Sequence, residues 1–162
     1  MILALLWPIL SLASWYQQEP WRRIEPLRST RTDVERLLGP PTAACKCLYE
    51  SEAFNVSVHY SSGNCESEYS AWNVPADTVI RFTVYFAKRP LMSDLRIDWD
   101  RFVKTDDPEV VGYTYYVNKV DGLIISVYQE RVTEYDFVPK TKDNRLRCPG
   151  NLNALAESER WR

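Results

Sequence analysis

T-V-I-R-F-T-V-Y-F, residues 78–86, is the stretch on which the fold turns. Thr78, Ile80, Phe82, Val84 and Phe86 alternate with Val79, Arg81, Thr83 and Tyr85. Successive side chains of a strand point to opposite faces, so this period predicts a long strand with one dry face. Lys88-Arg89-Pro90 ends it. Its length and its continuous apolar set predict a central place in a sheet.

Other strands follow on both sides. Cys47–Glu50 and Phe54–Tyr60 flank Ser51-Glu52-Ala53 and read as a hairpin. In the second arm Phe54, Val56, Val58 and Tyr60 alternate with Asn55, Ser57 and His59, which puts His59 on the wetter face. Ser61-Ser62-Gly63-Asn64 is turn chemistry. Tyr113–Asn118 and Leu123–Glu130 pair around Asp121-Gly122, and Val132–Val138 reads as an edge strand. Residues 91–109 fit neither period and read as a solvated acidic loop. There Asp98, Asp100, Asp106 and Glu109 stand at ligand positions of an EF-hand loop, but Val103 occupies the place that needs glycine, so no calcium is assigned.

The helical element is I-E-P-L-R-S-T-R-T-D-V-E-R-L-L-G-P-P, residues 24–41. Thr32 followed by Glu35 reads as an N-cap with its capping box. Val34, Leu37 and Leu38 make one apolar stripe, predicted to pack on the sheet face carrying Ile80, Phe82, Val84 and Phe86. Gly39 supplies a left-handed closing residue, and Pro40 and Pro41 forbid continuation. The expected fold is α+β, an antiparallel sheet of about five or six strands with one short capped helix on it.

Residues 24–41 also resemble the BamE-like (SmpA/OmlA) family of small bacterial envelope proteins. Thr32, Val34, Leu37, Leu38, Gly39 and Pro41 carry the resemblance. It implies helices packed on a small antiparallel sheet, and a scaffolding or protein-binding role. The same architecture, duplicated, occurs in secreted β-lactamase-inhibitor proteins. The chain departs from the family in lacking its lipidated cysteine.

The ends and the cysteines bear on compartment. Met1 to Ala13 is apolar apart from Ser11, and is shorter than a bilayer span. Ser11-Leu12-Ala13 places small residues where a signal peptidase inspects them. We therefore expect a signal peptide over 1–13, one domain over 14–148 and a flexible or short helical tail over 149–162. Cys45, Cys47, Cys65 and Cys148 form an even set, which suits an oxidising periplasmic or extracellular compartment. Cys65 and Cys148 are the expected partners. A bond between Cys45 and Cys47 is disfavoured if both lie in a strand, where they would share a face. A zinc site from Cys45, Cys47, Cys65 and His59 lacks the paired spacings of structural zinc, so no metal is assigned.

Composition narrows the function classes. Net charge is −2, leaving no basic field for nucleic acid. None of the common nucleotide, hydrolase or metalloprotease motifs occurs, the single histidine lacks a nucleophilic partner, and no catalytic residue or cofactor is assigned. Asp98 and Asp100 form a carboxylate pair that alone signals little. The six Trp, ten Tyr and five Phe exceed what one core uses, and Trp and Tyr left on a surface anchor protein partners. The expectation is an exported, non-catalytic domain that binds another protein, with no transmembrane span in the mature chain. A secreted enzyme or small-ligand binder using the concave sheet face is the alternative.

Overall fold

In a computed structural model, residues 19–65 and 71–149 are described. The expected leader (1–13), and the tail beyond Pro149, lie outside them. Seven strands form one antiparallel sheet: β1 (Leu48–Glu50), β2 (Phe54–Tyr60), β3 (Val79–Phe86), β4 (Val103–Asp106), β5 (Tyr113–Asn118), β6 (Leu123–Tyr128) and β7 (Arg131–Phe137). Their order is β1-β2-β3-β7-β6-β5-β4. Two meanders, β1–β3 and β4–β7, are thus joined edge to edge by β3 and β7.

Three expectations about the sheet need correction. The strand read as an edge, Val132–Val138, is β7 and lies at the centre of the sheet; β3 lies beside it. This central strand carries two carboxylates, Glu134 and Asp136. They are tolerated inside because neighbouring strands bond both carboxylates, as described below. The acidic loop contains strand β4, every residue of which is exposed and which forms one edge. With β4 added, the sheet has more strands than expected.

The third correction concerns Ile80. His59 pairs with Arg81, yet Tyr60 pairs with Val79, so Ile80 is an extra residue in β3. This bulge reverses the alternation at the start of the strand. Val79 joins Phe82 and Val84 in the main core, and Ile80 joins a second cluster with Leu27, Trp72 and Val74.

Helix α1 (Arg31–Leu38) begins two residues earlier than the sequence predicts, with Thr30 and not Thr32 as its N-cap. Two overlapping boxes exist, Thr30-x-x-Asp33 and Thr32-x-x-Glu35, and the structure uses the first. The Thr30 hydroxyl accepts from the Asp33 N–H, and the Asp33 carboxylate accepts from the Thr30 N–H at 2.9 Å. Thr32 and Glu35 lie inside the helix. The choice is tertiary: Leu27 donates its N–H to the Val79 carbonyl at 2.7 Å, Val79 donates to Ser29 at 2.8 Å and Arg31 donates to Asp77 at 2.9 Å. That pairing keeps the chain extended up to Thr30, so the helix starts there. Gly39 closes it with φ +86°, its N–H bonded to the Glu35 carbonyl at 2.9 Å, and Pro40 and Pro41 follow.

One sheet face carries the core. Across it runs the row Tyr49, Val56, Val84, Tyr135, Ile125, Tyr116 and Lys104, one residue from each strand. Val34 is fully buried against this core, with Leu37 and Leu38 partly buried beside it. Trp21, in a 3₁₀ turn at Pro20–Arg23, is the largest fully buried side chain among the described residues and sits edge-on to Tyr135 and Phe86. Phe82 and Phe137 stack at 4.5 Å between ring centres. Leu95 completes the buried set, with Met92, Ile97, Trp99 and Phe102 packed against it.

Cys65 is bonded to Cys148, as expected. Cys45 is bonded to Cys47, against the expectation. The premise was a strand; both cysteines lie instead in the turn before β1, where the chain folds back far enough to join them.

Candidate functional site

The second sheet face is built by the same register. Glu50, Asn55, Tyr85, Glu134, Ser126, Tyr115 and Thr105 form one row across all seven strands. Leu48, Ser57, Thr83, Asp136, Ile124, Val117 and Val103 form the next. Directly opposed side chains on one face lie close enough to interact, so these rows decide which groups meet.

Asp136, on the central strand, is buried. It accepts from Arg81 Nη2 at 2.8 Å and from the Thr83 hydroxyl at 3.1 Å. Glu134 accepts from the Ser126 hydroxyl at 3.0 Å. Burial pushes both carboxyls above the usual range; Arg81 opposes that shift at Asp136 and Ser126 opposes it at Glu134. Tyr85, 43% exposed, is pushed up by burial first and by the Glu134 charge second.

Tyrosines continue the face toward β4 and β5. Tyr113 lies 5.2 Å from Tyr115 and 6.2 Å from Tyr128 between ring centres, and its hydroxyl is 3.2 Å from that of Thr133. The Tyr115 hydroxyl donates to Asp107 at 2.9 Å. Asp107 also accepts from the N–H groups of Glu109 and Val110, at 2.8 and 2.9 Å. Those bonds, the Glu109 N–H first, hold its carboxyl below the usual range. Burial, then Asp107, pushes Tyr115 up to about 12. Asp107 therefore fixes both the β4–β5 turn and the Tyr115 side chain. At the tip of that turn Val111 is 94% exposed.

Most of these residues escaped the sequence reading. The signal was V-T-E-Y-D-F, residues 132–137, with carboxylates two apart on a strand whose other face is apolar. His59 stands exposed on β2, opposite Arg81, as its alternation predicted. Asp98 and Asp100 are exposed beside a 3₁₀ turn at Trp99–Arg101, and Asp106 accepts from the Thr114 hydroxyl at 2.8 Å. All four cysteine sulfurs are in disulfides, so the thiolates a zinc ion would need are already used. A shallow depression of about 520 Å³ is lined by Gly63, Asn64, Asn73, Val74, Pro75 and Ala76, without an ionisable group.

No described helix is long and apolar enough to cross a membrane. Comparison with family models, with curated proteins and with solved structures finds no match to this chain.

Proposed function

We propose that this is an exported, non-catalytic α+β domain that binds another protein through the second face of its sheet. The observation that carries the reading is the set Tyr85, Tyr113, Tyr115 and Tyr128, spread over β3, β5 and β6 and interleaved with hydroxyl and carboxyl groups. Such side chains bring large rigid area at low entropic cost and keep a polar handle, the combination that recurs in binding anchors. The exposed Val110 and Val111 extend the patch. Two disulfides support an oxidising compartment. The resemblance of residues 24–41 to BamE-like proteins supports an envelope component as the partner.

The test is a pull-down from envelope extract with wild-type protein and with Tyr85→Ala/Tyr113→Ala, read by mass spectrometry. A partner lost from the variant while its Tm holds supports the face; identical captures reject it. A second reading, a small-ligand or enzymatic site on the same face, is favoured by the raised carboxyls of Glu134 and Asp136. Saturable binding of a small molecule that Glu134→Gln abolishes would replace the first reading with this one.

A further inference from the structure

The two disulfides differ in what they do for the fold. Cys65 and Cys148 are 83 residues apart, so their bond removes much freedom from the unfolded chain. Cys45 and Cys47 are separated by 2 in sequence, and closing so small a loop removes far less. Linkage is reciprocal: a bond that stabilises the fold strongly is protected by the fold from reduction to the same degree, and a bond that stabilises it little is not.

Charge points the same way. Access does not separate the two bonds: Cys45 and Cys47 are both partly exposed, while Cys65 is exposed and its partner Cys148 is buried. Lys46, between them, is exposed. Arg31 Nη1 donates to the Lys46 carbonyl at 2.6 Å, which brings a guanidinium to the same turn, although Asp77 pairs with it at 2.8 Å. Positive charge beside a disulfide attracts an incoming thiolate and stabilises the one that leaves. The turn also has backbone supports independent of sulfur. Thr42 donates to the Leu48 carbonyl at 2.8 Å, Leu48 to Cys45 at 3.2 Å, and Val58 of β2 to Cys47 at 2.8 Å. None of those hydrogen bonds passes through a sulfur atom.

We propose that Cys45–Cys47 is a thiol–disulfide exchange site that accepts two electrons from the dithiol of a partner protein. One partner thiolate attacks the sulfur of Cys45 or Cys47; the S–S bond breaks and a mixed disulfide forms. The partner's second thiolate then attacks its own sulfur in that mixed disulfide. The partner leaves oxidised, with an intramolecular disulfide. Cys45 and Cys47 keep the two electrons and take up the two protons that the partner's thiols gave up. The site is separate from the tyrosine-bearing face and does not depend on it.

The test uses the full oxidised protein and a synthetic peptide carrying two cysteines. After incubation and alkylation, peptide mapping should show thiols at Cys45 and Cys47, an intact Cys65–Cys148 bond and an oxidised peptide. In graded glutathione buffers Cys45–Cys47 should be reduced under milder conditions than Cys65–Cys148. Lys46→Glu should slow the exchange about threefold while leaving Tm unchanged. Cys65–Cys148 opening first, or peptide oxidation undiminished in Cys45→Ala/Cys47→Ala, would overturn the proposal. The glutathione series needs no variant, so a misfolded mutant cannot blur the answer.

Discussion

Phe82 stacks on Phe137 across β3 and β7, whereas Thr83, one residue on, donates a hydrogen bond from its hydroxyl to Asp136 across the same two strands. Both residues are buried. On the core face the neighbours are interchangeable in kind: apolar surface is withdrawn from water and the gain scales with area. On the second face each group depends on one named partner, because a buried polar atom without its hydrogen bond costs more than the bond itself contributes. Substitutions should therefore act through volume on one face and through pairing on the other.

The largest effect should come from the core face. Phe82→Ala is expected to destabilise by about 3–5 kcal/mol, read from chemical denaturation, because the stack on Phe137 leaves a cavity. A loss below that of a surface mutation would mean that this face is not the core. Asp136→Ala comes next, at about 1–3 kcal/mol: Thr83 and Arg81 lose their acceptor, and partial exposure of Arg81 lets water replace some of it. If Asp136→Ala is neutral, the second face is not organised by pairing.

The pH dependence sharpens the contrast further. Glu134 and Asp136 have raised folded-state pKa values, so the folded chain holds protons that the unfolded chain has released. Their favourable contribution is complete below the unfolded value of about 4 and is lost as pH rises through the folded values. Asp33, Asp106 and Asp107 run the opposite way: hydrogen bonds lower them, and their contribution disappears as pH falls through the lowered values. Glu134→Gln should flatten the decline of Tm on the alkaline side of about pH 4 and leave the acid limb alone. An unchanged alkaline slope would count against the burial of Glu134. The smallest stability effect belongs to Tyr85→Ala, within about 1 kcal/mol by thermal melting: the side chain is 43% exposed, and Thr83, with which its hydroxyl interacts, keeps Asp136 as acceptor in the variant. A larger loss would make Tyr85 part of the scaffold instead of the binding patch.

Local chemistry was legible in the residues, and long-range partnership was not. The bounds of β2 followed from alternation, those of β5 from the hairpin around Asp121-Gly122, and the Gly39 stop from glycine and the two prolines. The helix start was misplaced because Thr30 and Thr32 both head a capping box, and only the pairing of residues 27–31 with 77–79 decides between them. The bulge at Ile80 leaves no mark in a sequence that alternates without interruption. The second face was hidden for a related reason. Glu134 and Asp136 read as solvent-facing until Ser126, Arg81 and Thr83 are known to stand opposite them. Trp21 precedes the readable helix in a stretch without periodicity, so nothing local marked it as the largest fully buried side chain among the described residues.

The central place of β7 has a consequence in time. Among the described residues it is the last strand, and it is the one that joins the two halves of the sheet. A chain that emerges amino end first can assemble β1–β3, and then β4–β6, but the facing edges of β3 and β6 stay unpaired until residue 137 arrives. Non-local pairing of this kind is slow, and open strand edges recruit strangers. The interval before β7 emerges is thus when the nascent protein depends most on a holding factor. Stalled chains ending before Arg131 should be protease-sensitive where chains extending past Phe137 are protected, and equal protection of the two would show that the halves close without their keystone.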